Sequence, residues 1–278
     1  MKLTQSILLF FFSLLVFNCS DDNNDTITDN QNQFSGEFLP LSVDNQWNYD
    51  VENTNSNTSE TTNSQDVLNV ESETASGFSL TVNDGQIANG TMSGILTTGD
   101  LSLTETTLAA NGTIGLPVDI LDFEIQLDNA LLYDTEAANG EQLSIQSGTF
   151  TQDFQGYPIT INYSLFSTQL ENLDNMEVLG VNYDTVTSAN ISLELSVSTE
   201  VVVFGFTQTI SILDTQNVLS VDAFYAKNIG LISATANSGY TLNPNTVTIL
   251  EQLGADLSML PTSTSIVNTQ ELTSYTLQ

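Results

Sequence analysis

Alternation dominates this chain. Trp47, Tyr49 and Val51 are separated by the polar Asn48 and Asp50. The same pattern recurs at Phe78-Leu80-Val82, at Ile159-Ile161-Tyr163-Leu165 and at Ile191-Leu193-Leu195-Val197. A period of two, carried by β-branched and aromatic residues, predicts strands that bury one face and wet the other. Turn chemistry stands between such runs at Asn83-Asp84-Gly85, Thr98-Gly99-Asp100, Asn111-Gly112 and Asn139-Gly140. The expected class is all-β, mainly antiparallel: a curved sheet or open barrel with at most one or two short helices. One helix is predicted over Thr246 to Leu260, where Val247, Leu250, Leu253, Leu257 and Leu260 fall three and four residues apart. It should end before Pro261, although Gly254 inside it weakens the pattern. No internal repeat of a propeller or solenoid stands out. The aromatic girdles and regular ten-residue strands of a transmembrane barrel are missing as well.

The N-terminus breaks this pattern. Lys2 precedes an apolar run from Ile7 to Phe17, and Cys19, the chain's one cysteine, follows closely. A charged start, a short apolar core and a processing position read as a secretory signal over residues 1–18. The run is far below the ~20 residues of a membrane-spanning helix. A lone cysteine at such a junction makes no internal disulfide and is expected to be the acylated first residue of a mature lipoprotein. Val16-Phe17-Asn18-Cys19 follows the bacterial lipobox loosely, with Phe17 and Asn18 bulkier than that pattern prefers. Ser20-Asp21-Asp22 resembles the short signal that sends some lipoproteins to the outer face of the outer membrane. Two or more acyl chains make a stable anchor, at ~0.8 kcal/mol per buried CH₂. From Cys19 to Ser35 the chain is rich in Asp, Asn, Gln and Thr, a composition that predicts a disordered acidic tether. Residues 36–278 are expected to form a single β-rich domain.

Charge then removes whole classes of chemistry. The chain holds 34 acidic and two basic residues, with no histidine and no arginine. Without residues 1–18 one cation, Lys227, faces 34 carboxylates, a formal charge of −33. Nucleic acid needs cations to replace phosphate counterions, so no nucleic-acid partner is expected. Histidine-based triads and zinc, haem or iron–sulfur sites lack their residues. No cofactor, metal site or catalytic residue is therefore assigned. Carboxylate chemistry survives the exclusion, and glycoside hydrolysis remains an alternative that a cleft with two acids and facing aromatics would favour. Oxygen-rich segments such as Asp21 to Asp25 offer divalent cations unspecific ligands and match no EF-hand loop.

Several segments carry a family resemblance. Phe38-Leu39-Pro40-Leu41, followed by Trp47-Asn48-Tyr49, resembles the opening of many uncharacterised bacterial outer-membrane lipoproteins. Phe224-Tyr225-Ala226-Lys227-Asn228-Ile229-Gly230-Leu231-Ile232 is similar to a second segment of theirs. Gly180 to Val186 resembles an intervening strand start, and Glu271 to Tyr275 the closing strand. Asp44-Asn45 stands where the family usually has a glycine. The resemblance implies a carrier-like β-rich lipoprotein whose concave apolar face can hold acyl chains. The function expected is a non-catalytic binding or interaction domain tethered to the outer membrane, with a hydrophobic small ligand or a cell-surface protein as partner. A structural or adhesive surface protein is the alternative. Trp47 and Tyr49 are expected in the core, Lys227 is expected to pair with a carboxylate, and Gly230 marks a strand bend or bulge.

Overall fold

The computed structural model describes residues 34–115, 124–203, 205–252 and 261–278, all within one compact unit, Gln31–Gln278. The expected signal, Cys19, most of the tether and the second half of the predicted helix lie outside the described residues.

Thirteen strands form one antiparallel sheet. They are β1 (Gln46–Asn55), β2 (Glu60–Thr74), β3 (Gly77–Val82), β4 (Gly99–Leu103), β5 (Thr107–Gly115), β6 (Glu124–Asp134), β7 (Gln142–Phe154), β8 (Tyr157–Gln169), β9 (Leu173–Val178), β10 (Val181–Val203), β11 (Phe206–Ala226), β12 (Gly230–Thr241) and β13 (Ser263–Thr276). Their order is β6-β5-β4-β3-β2-β1-β13-β12-β11-β10-β8-β7, with β9 paired to β10 alone. The wall curls until β6 and β7 approach, which makes a nearly closed barrel with one unsealed seam. The all-β expectation is met, and its open-barrel form describes the molecule best. Each alternating run lands on a strand and buries its apolar face: Trp47, Tyr49 and Val51 on β1, Ile159, Ile161 and Leu165 on β8, and Ile191 to Val197 on β10.

Two α-helices occur among the described residues: α1 (Thr91–Leu96), between β3 and β4, and α2 (Pro244–Gln252), between β12 and β13. α2 begins two residues before the predicted start. Asn243 Oδ1 accepts the Asn245 and Thr246 amides at 3.1 and 3.4 Å, and Pro244 fills the first helical position, where a missing N–H costs nothing. α1 is short and apolar on one side, burying Met92, Ile95 and Leu96. It touches β3, β11, β12 and β13, which places it in the barrel lumen.

The turns show where local chemistry governs. Asn83 (φ 51), Asp84 (φ 54) and Gly85 (φ 81) form the turn after β3, and Gly140 takes φ 85 in the loop before β7. Gly99 is the first residue of β4, so that turn falls just ahead of it. Asn111-Gly112 corrects the expectation of a turn, because both residues lie inside β5. The register slips between Ala110 and Gly112, and a Cβ at Gly112 would overlap the Thr98 carbonyl. This glycine serves a bulge and a close strand approach.

Two rims organise the barrel. At the near rim the chain arrives through Gly36, whose amide donates to the Glu105 carbonyl at 3.1 Å. The β11–β12 turn lies there too. At the far rim β10 and β11 run on as a ribbon past the end of β12, flanked by β8 and by α2, whose leading Asn243 amide donates to the Ile212 carbonyl at 2.8 Å.

Candidate functional site

The near end of the lumen is filled by large side chains. Trp47 and Tyr49 point inward from β1 and are fully buried. Trp47 Nε1 donates to the Ile229 carbonyl at 2.6 Å, and Tyr49 Oη donates to the Leu231 carbonyl at 3.0 Å. The Asn228 amide donates to the Glu37 carbonyl at 2.7 Å. The two segments with the strongest family resemblance, 38–49 and 224–232, therefore meet each other. Phe38 stacks edge-on against Tyr133 at 6.2 Å, and Tyr133 lies 5.0 Å from Tyr225. Burial pushes the phenols of Tyr49, Tyr133 and Tyr225 well above their ordinary range. Neighbouring tyrosines add to this at Tyr49 and Tyr225. Trp47 and Tyr49 are thus core residues, as expected. Gly230 opens β12 at a hairpin whose partner strand carries a bulge between Phe224 and Tyr225. The Lys227 stem lies across Gly36, its Cε 3.2 Å from where a Cβ would stand.

The middle of the lumen is occupied by α1, which a polar cluster holds in place. Asp66 is fully buried on β2. Its carboxylate accepts the Asn83 side-chain amide at 2.7 Å, the Asn89 amide and side chain at 3.0 and 2.9 Å, and the Gly90 amide at 2.7 Å. Asn268 Oδ1 accepts the Thr91 amide at 2.9 Å. Gln270 Oε1 accepts the Ser93 amide at 3.2 Å while its Nε2 donates to Ser93 Oγ at 2.8 Å. A charge so deep is tolerable only when its acceptor positions are filled, and here several N–H groups fill them. A Cβ at Gly90 would overlap Gln270 Oε1, so the glycine lets the chain pass close to β13.

Room remains at the far end. A recess of about 290 Å³ lies between α1 and the wall, lined by Ile95, Ile114 and Leu219 with Thr91, Thr98 and Ser238 at its polar side. Ile95 and Ile114 also border the seam crevice, where Leu127, Leu132, Leu165 and Ile191 pack so closely that only about 10 Å³ is free. Among the described residues α1 and the aromatic cluster fill the near end and the middle of the lumen. Outside the barrel an open groove of about 540 Å³ gathers Asp50, Glu52 and Glu271 beside Gln65 and Leu179, with no aromatic side chain in its lining. Among the described residues no cluster of three or more His, Cys, Asp or Glu side chains is arranged to hold a metal ion.

No protein-family model matches the chain, and neither does any curated protein or solved structure.

The residues that shape the lumen were only partly visible in the sequence. Cys19, the one expected attachment residue, lies outside the described residues. Asp66 lies in phase with Leu68 and Val70, and Asn268 and Gln270 with Leu272, so alternation puts them on the inward face, but nothing local shows what their polar groups would meet there. α1 had a weak signal in the spacing of Met92, Ile95 and Leu96.

Proposed function

We propose that this protein is an outer-membrane lipoprotein, acylated at Cys19 and held by its acyl chains, whose barrel is a non-catalytic binding domain. It is read as a member of the uncharacterised lipoprotein family that its two contacting segments resemble. The ligand is a small hydrophobic molecule lodged in the far recess. The recess carries this reading. Ile95, Ile114 and Leu219 offer an apolar wall, the hydroxyls opposite can orient a polar group, and about 290 Å³ approaches the size of small-molecule sites. The filled lumen argues for a compact ligand over a long acyl chain.

Two measurements test the proposal. Wild-type protein should fractionate with the outer membrane and Cys19→Ala should be released. Unmodified wild-type protein in the culture supernatant would overturn the anchor. Native mass spectrometry of gently purified protein should show a bound small hydrophobic species that Ile95→Glu removes. A protein that stays empty and binds no member of a hydrophobic-compound panel would overturn the ligand reading.

A surface-interaction role is the second reading, supported by the β10–β11 hairpin, where Val202 and Phe206 stand 68% and 73% exposed. Its protein-binding competence should fall when both are replaced by serine, without loss of stability.

A further inference from the structure

Among the described residues the barrel wall begins at β6 and ends at β7, and each of these strands is laddered there on one side only. Among the described residues, side chains bridge the seam where a ladder would otherwise run. Gln146 Nε2 donates to the Asp128 carbonyl at 2.9 Å. Near the near rim the Asp134 amide donates to Gln169 Oε1 at 3.0 Å, and Asn172 Nδ2 donates to the Thr135 carbonyl at 3.1 Å. The cause of the gap sits in β6. Asn129 takes φ 49 and its amide turns to Asn111 Oδ1 at 2.8 Å, as the register against β5 slips. A bulge of this kind bends a strand out of line with its neighbour. Gln146 Oε1 is buried in the seam and accepts no hydrogen bond.

We infer that this seam receives an extended, lysine- or arginine-bearing segment of a partner protein as an added β-strand between β6 and β7. The inference is independent of the far recess and its ligand. Strand edges without a ladder partner template the addition of another strand, and among the described residues β6 and β7 each have such an edge, interrupted at the Asn129 bulge. Admitting a strand means parting the two edges to about 9.6 Å, twice the usual strand spacing. The seam is where the wall can part without breaking a backbone ladder. The Gln146 bridge stands in the middle, and opening starts from the far rim while Gln169 and Asn172 keep the near end joined. Gln146 Oε1 then finds the N–H donor it lacks, since unpaired buried acceptors are costly.

The chemistry of the segment follows from both faces. Inward side chains meet Leu127, Leu132, Leu165 and Ile191 in a narrow crevice, so they are small and apolar. Outward side chains meet an open groove of about 690 Å³ bordered by Gln126, Asp128, Ser144, Ser147 and the exposed Ile145, whose apolar surface can cover a lysine or arginine stem. Glu124 lies on the same strand edge and Asp153 on β7. Outward positions therefore favour cations. A second copy of this chain brings 34 further acids and is repelled, so the partner is a different protein.

The test uses the full mature protein and synthetic heptapeptides at physiological salt. The probe alternates lysine and valine. One control has the same sequence with every second backbone nitrogen methylated, which keeps charge and hydrophobicity but removes strand donors. The other replaces lysine by glutamate. The probe should bind at least tenfold more tightly than either control, and amide exchange should slow in 124–134 and 142–154 and not elsewhere. Equal binding of the methylated peptide means charge attraction alone and overturns the proposal, as does protection spread over the surface or no binding at all.

Discussion

Trp47 brings the nitrogen edge of its indole against Gly230: a Cβ on that glycine would stand 2.6 Å from the indole nitrogen, while the same nitrogen donates to the carbonyl of the preceding Ile229. The two residues are nearly the whole domain apart in sequence, so this contact ties β1 to the β11–β12 turn and closes the near end.

Gly230→Ala should therefore be among the most destabilising single changes in the protein. It combines a backbone at φ 122 with a collision against a rigid, fully buried ring. A loss of about 3 kcal/mol or more is expected. Trp47→Phe keeps a ring but leaves the Ile229 carbonyl without its donor, and about 1–3 kcal/mol is expected. Urea unfolding followed by circular dichroism reads both. A Gly230→Ala protein as stable as wild type would show that the turn relaxes freely.

Alkaline pH should weaken the fold through three phenols. Burial raises the folded-state values of Tyr49, Tyr133 and Tyr225, whereas in the unfolded chain they ionise near 10. Below about pH 10 both states hold the protons and nothing changes. Above it the unfolded chain releases protons that the folded chain keeps, so stability falls by ~1.4 kcal/mol per pH unit for each phenol, about 4 for the three. Absorbance near 295 nm should show these three of the eight tyrosines ionising only as the protein unfolds. Smooth titration of all eight before unfolding would contradict the buried cluster.

What the sequence made legible follows from how many residues had to agree. Alternation over Ile191 to Val197 or Trp47 to Val51 is repeated in every second residue, so the strands and their inward faces were readable. Asn111-Gly112 was misread because a glycine chosen for close approach looks the same in sequence as one chosen for a turn. Only the neighbouring Thr98 carbonyl, set by the fold, tells them apart. An open barrel was expected, but the place of its seam was out of reach for a similar reason. It depends on where β6 bulges at Asn129 and on Gln146 meeting Asp128, both of which are long-range facts. The filling of the lumen was equally hidden: alternation turns Asp66 and Gln270 inward beside Leu68 and Leu272, but no local signal says that α1 would supply their partners.

Asp66 supplies the third prediction. Asp66→Asn retains one acceptor and adds two donors facing the Gly90 and Asn89 amides, so like groups oppose each other. Asp66→Ala leaves those donors buried and unpaired. Both should destabilise, by about 2–4 kcal/mol for several lost charge-assisted bonds. The specific sign is loss of amide-exchange protection in 89–96 ahead of the strands, because α1 is what the carboxylate holds. Uniform loss across the sheet would instead assign Asp66 to general core packing.

Leu179 gives a prediction in the opposite direction. It forms the β9–β10 turn with Gly180, and both have positive φ, 50 and 79, the pairing that two-residue hairpins of this twist require. Glycine takes such angles freely and asparagine tolerates them, but a leucine there crowds its Cβ against the backbone at a cost of roughly 1–2 kcal/mol. Leu179 is also 54% exposed, so little packing offsets that strain. Leu179→Asn should raise stability by about 0.5–1 kcal/mol and move the urea midpoint upward with an unchanged slope. The leucine also borders the groove that holds Asp50, Glu52 and Glu271. If the substitution destabilises instead, Leu179 packs against that outer face in solution more firmly than its exposure indicates, and the hairpin is clamped by its tip.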